Sequence, residues 1–275
     1  MSSSEADPAA ALRPWSEDEF DEHWAAVEAY LNASGPAPAF ESATRWFEGD
    51  DDVQRAAALD LLTLLARFDP TYVPSLISRA ASAVNEPSEE LRWSAAHALS
   101  VTDDPAVLPV LLRFLGDEDS DVRWHVATAL PGLVADPENV ELDDSVVEAL
   151  LVLAYDESPN VRDWAVFGLG AQLDVDSPAI REAFMRSLDD TESDAAGEAA
   201  VGLARRGDDR VFEVLVTELG RPDVGNLYVE AAGEFGDPRL QPLLLALRES
   251  GWASDRADWR DELDEAIELC SAPRE

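Results

Sequence analysis

A single helical segment recurs along this chain, and the recurrence restricts the folds that the chain can adopt. Its clearest copy occupies residues 116–133 and reads GDEDSDVRWHVATALPGL. The apolar positions of its second half are Val122, Val126, Ala129, Leu130 and Leu133. This spacing forms one stripe along a helix, and the acidic and hydroxyl residues at 119–121 are typical of helix N-caps. The segment is therefore predicted to be a helix with one buried face.

Related segments occur at intervals of 29 to 39 residues. The first buried position of each copy is Val53, Leu91, Val122, Val161, Ala195 or Val224. Other helices are predicted between them, at 105–115, 144–155, 178–188, 211–219 and 238–248. Two helices per period at this interval are the signature of a helical solenoid, in which each hairpin is buried by its neighbours. We predict an all-α fold, a right-handed α-solenoid of about six to seven helical hairpins with a helix at each end.

The chain is predicted to form one solenoid domain, divided into four segments. These are a disordered tail at 1–14, a capping helix and linker at 15–37, the repeats at 38–250 and a C-terminal capping helix at 251–275. The first capping helix is expected to begin at Ser16, and an irregular loop at 135–144 is expected to project from one edge.

The charge of the chain restricts its partners. Acidic residues number 58 against 20 basic ones, all of them arginine, which gives a formal net charge of −38. Nucleic acids and anionic membranes are disfavoured as partners, because both are bound through basic residues. The chain starts without a secretory signal, contains no apolar run of membrane-spanning length, and has one cysteine, Cys270. A cytoplasmic protein is expected.

The sequence offers no catalytic or metal-binding motif. The three histidines, His23, His97 and His125, lie far apart, and none begins an H-E-x-x-H motif. A D-x-D-x-D run begins at Asp117, but the sixth and twelfth positions lack the Gly and Glu that a calcium loop requires. No catalytic residue, metal site or cofactor is predicted.

The quoted repeats resemble a known family. The segments ELRWSAAHALSVT, DVRWHVATALPGL and NVRDWAVFGLGAQL, together with the DDP, GDD and GDP corners, are similar to HEAT repeats, and in particular to the short HEAT-like repeats of phycobilisome lyases. The resemblance implies that the arginine column formed by Arg92, Arg123 and Arg162 is a structural ladder that bridges to acidic groups of adjacent repeats. The alternative is a row of guanidinium groups that grips an anionic ligand.

Copies one, five and six depart from this arginine pattern. Ala196 and Gly225 replace the arginine in copies five and six, and in copy one Arg55 is displaced by one position.

The resemblance also implies that the second helix of each repeat lines a concave groove. Helical geometry then selects the positions opposite the apolar stripe. The groove residues predicted in this way are Trp93, His97, Trp124, Thr128, Asp163, Phe167 and Glu230. Aromatic side chains in a groove are typical of protein and peptide recognition, although these rings would equally pack over neighbouring repeats. Glu198 and Glu230 are expected to make the C-terminal end of the groove acidic.

Together these observations favour a non-catalytic scaffold that binds a protein or peptide, with basic or aromatic-rich partners favoured by the charge. Two alternatives follow from the resemblance. One is a bilin lyase-like or chaperone-like protein that handles a tetrapyrrole chromophore. The other is a DNA-handling protein of the HEAT-like glycosylase type, which the negative charge disfavours.

Overall fold

The structure is a computed structural model that describes residues 20–134, 144–191, 194–254 and 256–271. The predicted tail at 1–14, the predicted helix start at Ser16 and nearly all of the predicted loop at 135–144 lie outside the described residues. The chain divides into two compact units, residues 1–140 and 141–275, which are called the N-terminal and the C-terminal unit.

The described part of the chain is helical and contains no β-strand, so the all-α prediction is confirmed. The N-terminal unit contains α1 (Phe20–Ser34), α2 (Pro36–Phe47), α3 (Asp52–Phe68), α4 (Val73–Ala83), α5 (Glu89–Ser100), α6 (Leu108–Leu111) and α7 (Ser120–Ala129). The C-terminal unit contains α8 (Asp144–Leu153), α9 (Pro159–Phe167), α10 (Pro178–Ser187), α11 (Ala195–Arg205), α12 (Phe212–Leu219), α13 (Asn226–Phe235), α14 (Gln241–Ser250) and α15 (Ala257–Leu269).

The acidic corners between the repeats cap the short turns that open the next hairpin. Asp104, Asp208 and Asp237 each accept a hydrogen bond from the backbone N–H two residues ahead. Each of these aspartates precedes a short 3₁₀ turn, for example Pro105–Val107. The repeated DDP, GDD and GDP corners thus specify the turns by side-chain capping of otherwise unpaired backbone donors.

The helices form a solenoid of stacked hairpins. In the N-terminal unit the second helices α3, α5 and α7 pack side by side, and α1 lies against α2 and α3. In the C-terminal unit α9, α11, α13 and α15 form a second such row. Helix α15 packs on α14 as well as on α13, so it completes a hairpin while also ending the row.

The predicted linker between the first two helices is shorter than the sequence suggested. Its break is confined to Gly35, whose φ of +76° lies in the left-handed region that glycine tolerates. Helix α2 then begins at once, because Pro36 occupies its first turn, where a missing N–H costs nothing.

Small residues allow close approach of helices in the C-terminal unit. A Cβ at Gly202 in α11 would lie 2.7 Å from the ring of Phe184, and a Cβ at Gly197 would lie 2.7 Å from the side chain of Leu227. Phe184 is fully buried in α10. Glycine is required at 202 because the ring already fills the space that a methyl group would need.

We expect Gly202→Ala to destabilise the protein by about 1–2 kcal/mol. Overpacking costs about 1–3 kcal/mol, which exceeds the 0.5–1 kcal/mol that alanine gains in helix propensity. Chemical denaturation at neutral pH measures the difference. Gly116→Ala is the control, because nothing lies within 4 Å of its added Cβ, and it should change the stability by less than about 0.5 kcal/mol. Equal effects of the two substitutions would contradict this account of the packing.

Two members of the arginine column, Arg92 and Arg162, make similar contacts. Nε of Arg92 donates to the Asp117 carboxylate at 2.8 Å, and its Nη2 donates to Glu118 in the next repeat. Nε of Arg162 donates to Asp190 at 2.6 Å, again in the next repeat. Each guanidinium group also donates to two carbonyl oxygens of its own loop. These contacts connect successive hairpins and use at least three of the five N–H donors of each guanidinium group.

The other copies vary this arrangement. Arg123 donates to the carbonyl oxygens of Asp117 and Glu118, and the displaced Arg55 reaches Glu86 at 2.7 Å. The C-terminal unit has further arginine contacts that sequence reasoning missed. Arg181 and Arg210 both donate to Asp208, and Arg206 donates to backbone carbonyls that include Leu169 and Val175.

We expect Arg92→Ala to destabilise the protein by about 3–5 kcal/mol, because it leaves the buried Asp117 carboxylate without its partner. The side chains of this pair are only 6% and 4% exposed. Arg221→Ala is the matched control, since that side chain is 55% exposed in its pair with Glu218, and the substitution should cost less than about 1 kcal/mol. Urea denaturation of both variants measures the effects, and an unchanged midpoint for Arg92→Ala would refute a ladder role.

In the described part of the chain, no helix is both long enough and apolar enough to cross a membrane.

Candidate binding surface on the second helices

The seven residues predicted to face a groove all lie on second helices, and each is partly buried and partly exposed. In the N-terminal unit they are Trp93, His97, Trp124 and Thr128. In the C-terminal unit they are Asp163, Phe167 and Glu230. The side of α5 and α7 that carries the first set is called the aromatic surface. The second set lies on α9 and α13, and the corresponding side of α9, α11, α13 and α15 is called the acidic surface.

The aromatic surface is a network of ring contacts. Trp93 stacks on His97 at a centroid distance of 5.0 Å and an interplanar angle of 9°. His125 contacts Trp93 at 4.7 Å, His97 at 5.2 Å and Trp124 at 5.0 Å. The rings of two successive repeats therefore support each other, which holds the two indoles in place while part of each stays exposed.

All three histidines of the chain meet in this region, although they lie far apart in sequence. His23 of α1 lies 2.8 Å from the carboxylate of Asp60 in α3. Burial lowers the pKa of His125 to about 3, with a smaller contribution from the charge of His97. Burial also lowers the pKa of His97, assisted by His23 and opposed by Asp60. His97 and His125 are therefore neutral at physiological pH.

Helix α1 covers one end of the aromatic surface. The Trp24 ring lies 5.2 Å from the His97 ring, and Val27 and Leu31 of the same helix are buried. Asp60, which α1 reaches through His23, is only 1% exposed. At the first repeat, helix α1 therefore lies on the side where a groove was expected. The partly exposed indoles lie on α5 and α7.

The acidic surface carries one carboxyl group from each second helix of the C-terminal unit. They are Asp163 on α9, Glu198 on α11, Glu230 on α13 and Glu262 on α15, and all four are partly buried. Burial is the main cause of a raised pKa in each case. The pKa of Glu198 rises to about 7 and that of Asp163 to about 6, since neighbouring carboxylates add to the effect of burial.

One cation already lies at the acidic surface. Nη2 of Arg205 donates to Glu230 at 3.0 Å, and its Nε donates to Glu234 at the same distance. Half-buried carboxylates with raised pKa values are stabilised in their charged form by added cations. Additional positive charge at this surface would therefore favour the ionised carboxylates.

Within the described residues, no group of three or more His, Cys, Asp or Glu side chains is arranged to hold a metal ion. The three histidines instead contact aromatic rings and Asp60. Cys270 is buried, and its Sγ lies 3.2 Å from the carbonyl oxygen of Ala232.

Sequence reasoning missed three members of the two surfaces. His125 adjoins Trp124 and packs toward α5, so a helical wheel placed it beside the predicted columns. Trp24 comes from α1, which periodicity assigned to an end cap. Glu262 comes from the last helix. If that helix had been aligned with the repeats, Glu262 would have been identified one helical turn from the apolar stripe.

We expect Glu198→Gln to stabilise the protein at pH 8 by about 1 kcal/mol, after allowance for solvent screening. The pKa of Glu198 is higher in the folded chain than its ordinary value of 4.5, so its contribution to stability is present below pH 4.5 and is lost as pH rises through about 7. The stabilisation should therefore shrink toward zero near pH 4.5. Thermal or chemical denaturation at several pH values measures it.

The exposed Glu265 on α15 provides the control for this measurement. Glu265→Gln should change the stability by less than about 0.5 kcal/mol at both pH values. A Glu198→Gln variant that is less stable than wild type at pH 8 would show that the carboxylate makes a favourable contact there.

Comparison with known proteins gives relatives of the same architecture. Protein YibA of Escherichia coli K12 is 28% identical over 190 residues, which cover 69% of this chain and 54% of YibA. The match thus spans about half the length of that curated relative. The X-ray structure of E. coli YibA superposes with a TM-score of 0.71 at 21% identity and covers 98% of this chain and 97% of that chain.

A karyopherin, Kap121p bound to the SUMO protease Ulp1p, superposes with a TM-score of 0.51 at 19% identity. That match covers 96% of this chain and 27% of the karyopherin. The sequence model for HEAT repeats matches residues 73–142 and 147–227, which is more than half of the chain. With its stacked hairpins, capped corners and bridging arginines, the chain belongs to the HEAT-repeat family.

Proposed function

We propose that this protein is a non-catalytic scaffold that binds a protein or peptide segment along its second helices. The observation that carries the proposal is the aromatic surface, where Trp93 and Trp124 are partly exposed while His97 and His125 hold their rings in position. A pre-organised indole loses little conformational entropy on binding, which is why Trp is frequent among the residues that dominate binding energy.

The charge of the chain favours a basic or aromatic-rich partner. The formal net charge is −38, and the acidic surface adds four partly buried carboxyl groups to one side of the C-terminal unit. A segment that contains arginine or lysine would pair with these carboxylates, and its cations would also be attracted to the faces of exposed indoles. Nucleic acid remains disfavoured as a partner because its phosphates would meet the same negative charge.

The arginine contacts support a structural ladder over the ligand-gripping alternative. Arg92 and Arg162 use their donors on carboxylates of the next repeat and on carbonyls of their own loops. Most of the donor capacity of Arg92 is thus used within the protein, and at least three of the five Arg162 donors are used in the same way.

The relatives support a scaffold only at the level of fold. The structure of Kap121p bound to Ulp1p shows that a solenoid of this type binds a protein. The tetrapyrrole-handling alternative receives no support from these relatives, and a cytoplasmic location stays a prediction from the sequence.

We expect a Trp93→Ala/Trp124→Ala variant to lose its partner. Truncation of two interface indoles should weaken binding by more than tenfold, since each such residue contributes about 2 kcal/mol or more. Affinity capture from the native host with wild-type and variant baits, followed by mass spectrometry, identifies the partner, and titration of that partner measures the loss.

Trp259→Ala is the matched control, because this partly exposed indole on α15 stacks on Trp252 and not on the rings of the aromatic surface. Circular dichroism checks that every variant keeps its helical content. Retention of the same partners at unchanged affinity by the folded double variant would refute the proposal.

A further inference from the structure

The aromatic surface is continuous with a contact that the chain makes to itself. Helix α1 packs on α2 and α3, and its two consecutive residues His23 and Trp24 reach the second helices. His23 contacts the buried carboxylate of Asp60, and Trp24 contacts the ring of His97. Helix α1 thus places an aromatic ring and a hydrogen-bonding group at one end of the aromatic surface. A partner segment with similar groups is what this surface is proposed to bind.

His97 is partly exposed, and groups from four helices surround the buried side of its ring. Trp93 stacks on it from its own helix, Trp24 and His23 face it from α1, Asp60 faces it from α3, and His125 lies against it from α7. Its Nδ1 is buried and has no hydrogen-bond partner among the described residues. A charged imidazolium carries an N–H at this buried nitrogen, and a buried donor without a protein acceptor costs free energy.

Of these neighbours, only α1 lies outside the rows of packed hairpins. Trp93 and His125 are fixed in α5 and α7, and Asp60 lies in the middle of the buried helix α3. Water can therefore reach His97 at the lowest cost when Trp24 moves away. The His23 side of α1 also opposes a charge on His97, because the two histidines repel each other once both are protonated.

We propose that α1 is an acid-sensitive latch, which covers His97 and Asp60 at neutral pH and releases them to a partner when His97 takes up a proton. The latch controls access to the aromatic surface. It rests on the proposed function only for the role of the surface that α1 uncovers. Opening of α1 itself is a property of the free chain.

The pH dependence follows from linkage. Burial lowers the pKa of His97 in the closed form, whereas in the open form it returns toward its ordinary value of 6.5. The open form therefore binds the proton more tightly, and the ratio of open to closed molecules rises as pH falls below 6.5. The rise can reach about tenfold per pH unit until the closed form also becomes protonated.

Hydrogen exchange of the full chain, followed by mass spectrometry, measures this opening without any partner. After correction for the intrinsic pH dependence of exchange, peptides from α1 (Phe20–Ser34) should exchange several-fold to about tenfold faster at pH 5.5 than at pH 7.5. Peptides from α13 (Asn226–Phe235) provide an internal reference in the other unit. Equal protection of α1 at the two pH values, or greater protection at pH 5.5, would overturn the proposal.

Substitutions separate the latch from a general loss of stability. H97F keeps an aromatic ring against Trp24 and Trp93 but cannot be protonated, so the acid-induced exchange of α1 should disappear. H125F is the matched control, because His125 belongs to the same cluster through its contacts with Trp93, His97 and Trp124, and the acid response of α1 should persist. H23A removes the contact with Asp60 and should raise the exchange of α1 at pH 7.5.

An H97F variant with an undiminished acid response would assign the opening to another group and overturn the proposal. If H97F loses helical content by circular dichroism, H97Q serves in its place, and the wild-type pH comparison remains a test in itself. Because exchange is measured on the free protein, failure of the latch is distinguishable from failure of the binding scaffold, which is tested by partner capture.

Discussion

The structure depends on mutual burial between neighbouring second helices. A single hairpin has an apolar stripe that it cannot cover, and the stripes of α5 and α11 are covered only because another helix lies on each side. Alanine and glycine keep these helices close, and the close approach in turn brings the opposite sides of successive helices into contact. The two surfaces are therefore a consequence of the same packing that buries the core, since residues one repeat apart become neighbours.

Polar groups that the stack buries specify its geometry at a cost in stability. Asp60 lies in a helix whose neighbouring positions are leucine and alanine, and Arg92 and Asp117 are both almost fully buried. Replacing such pairs with apolar residues is often neutral or stabilising, so their presence is weak evidence for stability. Each of them, however, connects two particular elements: His23 and Asp60 position α1 on α3, and Arg92 and Asp117 align one hairpin with the next. The apolar stripes alone would permit neighbouring helices to slide past each other. These polar contacts prevent that sliding.

The helices and their pairing could be predicted from the sequence because their signals are local. The apolar period, the capping aspartates and the position of the arginines all lie within about one repeat, and the structure places helices at each predicted copy. The position of α1 could not be predicted in this way. It depends on contacts from His23 to Asp60 and from Trp24 to His97, which join residues in different repeats and leave no period in the sequence. The positions that a helical wheel selected are partly exposed in the structure, but the wheel could not show that α1 lies over one of them or that His125 supports the others.

The two surfaces respond to acid in opposite senses, and this follows from the kind of group that each unit buries. In the N-terminal unit burial lowers the pKa of His97 and His125, so their neutral forms are compatible with the packed state and added protons disturb it. In the C-terminal unit burial raises the pKa of Asp163 and Glu198, so added protons relieve repulsion between the carboxylates. Between pH 7 and pH 6 the acidic surface therefore loses negative charge.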